Sequence, residues 1–334
     1  MGFGLLVLSS ETLNIFLFKK YFIHLEQLWG LFSSFMALVS GQAYRSLVLQ
    51  RKAKQIKQAF SSYLAPEVVE MVIKNPEMLS LGGQRRYLTC LFLDVRGFTS
   101  LSESVPPTEL VNILNELLGP FTDIVLKNRG MLDKYIGDAM MALFNVPIEL
   151  PDHADRAVRS AMEILERLDE INRDFKARGR VQISVGIGIN TGEAVVGNMG
   201  TSVRFDYTAI GDTINLASRL EGLSKYYGVP VIVSETTVAK THGGFPFLKL
   251  DRVRVKGRET PLWIYTIFKD EALKDLYEAA LEAFFKKDFQ EALKLLDKIE
   301  GNAPFSHVLK SKVLEAMKGP LPEDWDGVTN FQVK

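Results

Sequence analysis

The rhythm of hydrophobic and polar positions divides the chain into four stretches: residues 1–50, 51–83, 84–268 and 269–334. The first carries only Glu11, Lys19, Lys20, Glu26 and Arg45 as charges, and residues 28–44 (LWGLFSSFMALVSGQAY) carry none. An uncharged run of 17 residues is just long enough for a helix to cross a bilayer, so the pattern predicts a transmembrane helix there. Residues 2–18 are similar but contain Glu11 and Asn14, which makes a weaker span. No basic region precedes that run, so it does not read as a cleaved leader. A buried helical hairpin is the alternative. Arg45, Arg51, Lys52, Lys54 and Lys57 outnumber Lys19 and Lys20 between the runs. That asymmetry places everything after residue 50 in the cytoplasm, on an inner membrane. A chain that starts inside an apolar run is expected to be part of a longer one.

Residues 51–83 read as a helical connector. Ile56, Phe60 and Leu64 recur at a helical interval, and Pro66, Asn75-Pro76 and Gly82-Gly83 punctuate the rest of the segment. From residue 84 the pattern is mixed. Residues 87–93 form an apolar, β-forming run ending in Asp94, and residues 110–126 have helical spacing. Strands 131–136 and 139–144 flank Gly137-Asp138, a hairpin signal. Residues 155–175 make a long amphipathic helix with Ala157, Ala161, Ile164, Leu165 and Leu168 on one face. Strands at 181–189 and 193–196, a helix at 214–226, and short strands at 231–233, 247–250, 253–255 and 263–267 complete the region. A tight hairpin inside this alternation implies antiparallel pairing, hence an α+β fold rather than a doubly wound sheet. Residues 270–317 resemble one tetratricopeptide-like helix pair closed by Gly301. A single pair cannot bury its own face, so it must dock on the preceding domain or a partner. The tail from Pro320, with Trp325, reads as extended.

Composition narrows the chemistry. The 334 residues include 40 basic and 40 acidic side chains, so no general electrostatic pull toward nucleic acid exists. The single Cys90 excludes a disulfide framework and a multi-cysteine zinc site, and it fits a reducing compartment. The histidines His24, His153, His242 and His307 are scattered, with no HExxH pair.

Two aspartates stand out. Asp94 ends the strand YLTCLFL and Asp138 sits at the hairpin tip in KYIGDAMMALF. A carboxylate at a buried strand end is costly unless a cation or donors satisfy it. Either aspartate alone could serve an Asx turn. Together they suit Mg²⁺ or Mn²⁺, which prefer oxygen ligands and phosphate-bearing substrates. In the intervening VRGFTSLSE, Gly97 permits a sharp turn, and Ser100 with Glu103 has capping-box spacing for the next helix. A helix N-terminus beside metal carboxylates points to phosphoryl or nucleotidyl transfer. No GxxxxGK[ST] loop occurs, so a P-loop enzyme is not supported.

The segments FLDVRGFTSLSE, DKYIGDAMMALF and DYTAIGDTINLASRLE resemble, in the same order, the class III nucleotide cyclases, over residues 84–268. The segment AFSSYLAPEVVEMVIKNPE after the apolar runs is similar to bacterial adenylate cyclases whose transmembrane helices lead from an extracytoplasmic CHASE-type sensor. The resemblance implies a ferredoxin-like α+β domain that converts ATP to 3′,5′-cyclic AMP and pyrophosphate for signal transduction. It implies a homodimer with its active sites at the interface. Asp94 and Asp138 of one subunit would hold two divalent ions, Mg²⁺ or Mn²⁺, and Phe98 and Thr99 would lend backbone N–H groups to the phosphates. One ion would activate the ribose 3′-hydroxyl for in-line attack on the α-phosphorus, and the other would bind the triphosphate. The other subunit would supply Asn215 to orient the ribose and Arg219 to stabilise transition-state charge. Their i, i+4 spacing puts both on one helix face. Lys256 would contact the terminal phosphates.

Base choice would fall to Lys134 and Thr208. Lysine only donates, which suits an acceptor nitrogen on adenine. A threonine hydroxyl can accept from the adenine amino group but can also donate, so weaker discrimination against guanine is expected than with the aspartate found in many relatives. Two alternatives stay open: a regulatory, dimerising cyclase-homology domain, and a cyclase that also accepts GTP. A diguanylate-type cyclase is disfavoured, because the hairpin reads IGDAM.

Overall fold

A computed structural model of the chain describes residues 12–13, 15–16, 18–19, 25–60, 83–200, 205–299, 301 and 303–331. It divides into two units, residues 1–60 and 61–334. In the first, one helix, α1 (Leu25–Phe60), takes in both the uncharged run and the basic cluster after it. Among the described residues no helix is long and apolar enough to cross a membrane, which corrects the transmembrane expectation for residues 28–44. The physical reason is dilution. Ser33, Ser34, Ser40, Gly41 and Gln42 interrupt the apolar run, and the helix continues unbroken into Arg45 and Arg51. Most of the weaker span at 2–18, and the connector from residue 61 to 82 with Leu64 and Pro66, lie outside the described residues.

The second unit is built on a mixed sheet. Strands β1 (Gln84–Val95), β2 (Met131–Ile136), β3 (Ala139–Phe144) and β4 (Val185–Gly200) lie in the order β2-β3-β1-β4, all antiparallel. Helices α2 (Phe98–Ser104) and α3 (Pro107–Lys127) connect β1 to β2, and α4 (His153–Ala177) connects β3 to β4. This is the ferredoxin-like βαββαβ arrangement. β1 has partners on both sides, and its second half is buried, which explains its apolar run. β4 continues where the sequence pattern broke it in two. Asn190 and Thr191, which read as a gap, are buried and paired: Asn190 Nδ2 donates to the Thr213 carbonyl (2.9 Å), and the Thr191 and Thr89 hydroxyls lie 2.7 Å apart.

Beyond β4 come β5 (Phe205–Ile210), α5 (Asp212–Tyr227), β6 (Val231–Ser234), the short α6 (Glu235–Val238), β7 (Phe247–Val255) and β8 (Leu262–Ile267). β5 pairs with the far half of β4, and β6 runs parallel to β4. The expected strands at 247–250 and 253–255 are one bulged strand, β7. The C-terminal stretch forms α7 (Glu271–Phe285), α8 (Phe289–Asp297) and α9 (Ser306–Ala316), one helix more than the expected pair. Its tail adds β9 (Thr329–Phe331) parallel to β7.

Two cores lie on opposite faces. Val231 and Val233 of β6 join α3 and α4 residues such as Phe121, Ile164 and Phe175, while Ile232 between them joins Tyr277, Phe284 and Leu309 of the C-terminal helices. The extension therefore docks on the sheet itself. Buried Asp251 pins it: its carboxylate accepts from Lys312 Nζ at 2.7 and 2.9 Å, from the Tyr227 hydroxyl at 2.8 Å and from Thr329 Oγ1 at 2.7 Å.

Candidate active site

The pairing register carries Asp94 to the hairpin tip. Leu93 faces Met140 on β3, so the next residue arrives beside the Gly137-Asp138 turn, where Gly137 holds φ at +66°. Both carboxylates are partly buried. The Asp138 carboxyl is pushed up to about 6, first by burial and then by the Asp94 carboxylate against it. Asp94 Oδ1 accepts from the Val95 N–H at 3.0 Å. Two adjacent carboxylates form an all-oxygen donor set that a hard divalent cation would neutralise. Among the described residues no group of three or more His, Cys, Asp or Glu side chains is placed to hold a metal ion. A cation would therefore rest on this pair with backbone, water or substrate oxygens.

α2 starts directly after the pair. Its N-cap is Gly97 at φ 68°, with no side-chain cap, so the expected Ser100–Glu103 capping box does not form; the N-cap lies three residues earlier than that spacing required. Phe98 packs against the first core and Thr99 is exposed, with both N–H groups in the unpaired first turn.

α5 lies over β4 with almost no separation. A Cβ on Gly188 would overlap the α5 backbone at Ala217 and Glu221. One on Gly186 would stand 2.6 Å from Arg96 Nη2 and from Ser224 Oγ, and closer still to Glu221 Oε1. These glycines bring Arg96, Ser224 and Glu221 together beneath the aspartates, and Arg96 donates to Ser224. The Glu221 carboxyl is pushed up to about 7 by burial and by the Asp94 charge, against the pull of Arg96. Motif order alone assigns Glu221 no role here. The glycine alternation in VGIGI was the available signal.

The exposed face of α5 carries Asn215 and, one turn on, Arg219. Arg219 reaches the β7–β8 turn, where a Cβ on Gly257 would stand 3.5 Å from its Nη2; Lys256, beside that glycine, is exposed. Asp212 lies 3.8 Å from Arg219 Nη1 and 3.6 Å from Arg258 Nε. Arg219 Nη1 is nonetheless buried with no hydrogen-bond partner. An orphaned guanidinium donor beside a lysine turn is a ready anion site.

Lys134 and Thr208 also meet, through a residue that the motif spacing does not single out. Thr208 Oγ1 donates to Asp133 Oδ2 at 2.5 Å, and Lys134 Nζ lies 3.7 Å from Asp133 Oδ1. No hydrogen bond or ion pair joins Asp94 and Asp138 to Asn215, Arg219 or Lys256 among the described residues.

Comparison with known proteins agrees with this fold. The family described as "Adenylate and Guanylate cyclase catalytic domain" matches residues 84–269. Adenylate cyclase 1 of Rhizobium meliloti is 36% identical over 216 residues, covering 65% of this chain and 32% of that protein. The chain thus spans about a third of that relative's length. The crystal structure of the adenylyl cyclase CyaB from P. aeruginosa superposes with a TM-score of 0.54 at 34% identity, covering 57% of this chain and 97% of that one. A guanylyl cyclase crystal structure is equally similar, at 0.53 and 35%, covering 56% and 94%.

Proposed function

Because the chain belongs to the adenylate and guanylate cyclase catalytic-domain family, we propose that it is an adenylate cyclase, forming 3′,5′-cyclic AMP and pyrophosphate from ATP as a homodimer. The observation that carries the reading is the Asp94–Asp138 pair, two adjacent carboxylates whose mutual repulsion a bound cation would relieve. Divalent metal ions, Mg²⁺ or Mn²⁺, bound there supply Lewis acidity and charge neutralisation for phosphoryl chemistry.

The chain's own groups do the rest. The first-turn N–H groups at Phe98 and Thr99 face the triphosphate. Arg219 Nη1, which has no hydrogen-bond partner, donates to the α-phosphoryl oxygen as negative charge grows in the in-line displacement. Asn215, one turn away, orients the ribose so that its 3′-hydroxyl reaches phosphorus, and Lys256 and Arg258 neutralise the leaving pyrophosphate. The metal pair and the Arg219 group are not in contact within one chain, which favours a site completed by a second copy. Exposed Tyr135, Ile136, Val195 and Ile210, around these strands, supply apolar surface for that contact.

Lys134 and Thr208 favour ATP over GTP, in line with the adenylate cyclases above and despite the equal likeness to a guanylyl cyclase. The basic residues after residue 44 and the buried, free Cys90 support a cytoplasmic placement of this unit. The test is nucleotide turnover by the full chain with Mg²⁺ or Mn²⁺, ATP against GTP, with Asp94→Ala alongside. Cyclic AMP from ATP, abolished in the variant, is expected. A folded dimer that forms no cyclic product would mark a regulatory domain.

A further inference from the structure

We propose that Asp133 is a positioning residue that fixes the Thr208 hydroxyl as a pure hydrogen-bond acceptor, so that the base pocket reads adenine and rejects guanine. The inference deepens the adenylate cyclase reading and rests on it.

The backbone makes this arrangement. In the β2–β3 pairing Leu132 faces Ala142 and Lys134 faces Met141, so Asp133 is the extra residue of a bulge. In a regular strand, residues 133 and 134 would point to opposite faces; the bulge lets both side chains address one spot. Thr208 arrives from β5, opposite Gly197 of β4. The Asp133 side chain has no solvent exposure, and its Oδ1 has no hydrogen-bond partner. Its Oδ2 accepts the Thr208 hydroxyl at 2.5 Å.

A threonine hydroxyl has one proton and two lone pairs. Here the proton is committed to a carboxylate, which has none to give back. Only lone pairs remain for a base, and Lys134 beside them only donates. One donor and one acceptor match the adenine edge, whose ring nitrogen accepts and whose amino group donates. Guanine reverses both, with an accepting carbonyl and a donating ring N–H, so it would set donor against donor and acceptor against acceptor. A free hydroxyl could rotate to accommodate guanine. A held one cannot, so discrimination should be sharper than Thr208 with a free hydroxyl would give.

The test compares kcat/KM for ATP and GTP in the full-length protein. In Asp133→Asn, the amide oxygen turns to Lys134, which only donates, and the amide N–H group turns to Thr208, which frees the hydroxyl proton to face the base. The ATP/GTP ratio should fall about tenfold or more, carried by KM for ATP and by gained GTP turnover. On a Thr208→Val background the same change should leave the ratio within about twofold. An unchanged ratio in the folded single variant overturns the proposal, as does an equal fall on the Thr208→Val background. If Asp133→Asn does not fold, Thr208→Ser decides: a serine hydroxyl held by Asp133 should keep the ratio within about twofold, and a tenfold loss overturns the lock. If the wild-type protein yields no cyclic product, the cyclase reading falls by itself. ATP and GTP competition against a fluorescent ATP analogue then gives the preference without turnover. A preference lost in Asp133→Asn supports the lock, and one that is retained overturns it.

Discussion

Asp133 and Asp138 sit on one hairpin, one in the bulge of β2 and the other at the tip, and their surroundings give them opposite tasks. At the tip, Asp138 faces a second carboxylate, a like charge that a bound cation would offset. In the bulge, Asp133 faces a hydroxyl and an ammonium, and its charge is spent on orienting them. Burial raises both carboxyls above the ordinary range. What differs is the neighbour, a like charge in one case and donors in the other. The comparison teaches that residue type alone does not assign a role along this strand; the sign of the facing group does.

The largest break in that comparison comes at the tip. Asp138→Asn removes a charge that the proposed cation requires and should lower kcat/KM with ATP by roughly a thousandfold. It should leave the ATP/GTP preference of the residual activity unchanged, whereas the bulge substitution moves preference first. A shift in preference in Asp138→Asn would merge the two regions into one functional unit. Acid should act in the same direction as the substitution. The Asp138 carboxyl binds a proton near pH 6, and proton and cation compete for the pair. Metal affinity, read by calorimetry, should therefore weaken as pH falls through about 6.

The next effect tests the anion end. Arg219→Lys keeps the charge but loses the planar fork whose Nη1 is buried without a hydrogen-bond partner. The expected result is a fall in kcat of about a hundredfold with a smaller change in KM for ATP. A raised KM with kcat unchanged would assign Arg219 to ground-state binding.

Much of this was legible from local pattern. Strands 131–136 and 139–144 are found at the expected residues, because the hairpin is fixed by a Gly-Asp turn between two apolar runs. Asp94 beside Asp138 follows from the two apolar strands that end at Asp94 and at the Gly137-Asp138 turn, whereas the approach of Arg219 to the Lys256-Gly257 turn shows only in the fold. What stayed hidden depends on tertiary contact. β5 carries the DYTAI motif and pairs with the adjoining end of β4, from Gly200 opposite Phe205 to Val195 opposite Ile210, so its strand character shows only through that pairing. Asp133 stands inside its motif with no visible role, because a bulge has no signature in a polar pair such as Asp-Lys. The uncharged run at 28–44 misled in the other direction, since absence of charge was weighed above the serines and glutamine that lower its hydropathy.

Gly188→Ala probes the scaffold that both regions share. The added methyl would meet the α5 backbone itself, which has no flexible end to yield. A destabilisation of about 1–3 kcal/mol is expected, seen as a lower Tm and earlier denaturant midpoint. Because α5 also presents Asn215 and Arg219, activity should fall together with stability, unlike the separate losses at the tip and in the bulge.

The smallest effect belongs to Glu221, which lies beneath the tip aspartates and is the acid in this cluster that Arg96 draws down while both aspartates push it up. Its folded carboxyl binds a proton up to about pH 7, against an ordinary value of 4.5. Between those values the folded state holds more proton than the unfolded state, so stability falls as pH rises through the window and stays reduced above it. Chelator-treated protein should therefore lose a few degrees of Tm from pH 5 to pH 8. Asp138, raised in the same sense, contributes to the lower part of that slope. Glu221→Gln has no carboxyl to ionise, so it should flatten the upper part of the slope and exceed the wild-type Tm at pH 8. A Glu221→Gln protein that is less stable than wild type at pH 8 would mean that Arg96 needs the charge, and the carboxylate would then belong with Asp133, as an acid that organises its donors, rather than with Asp138.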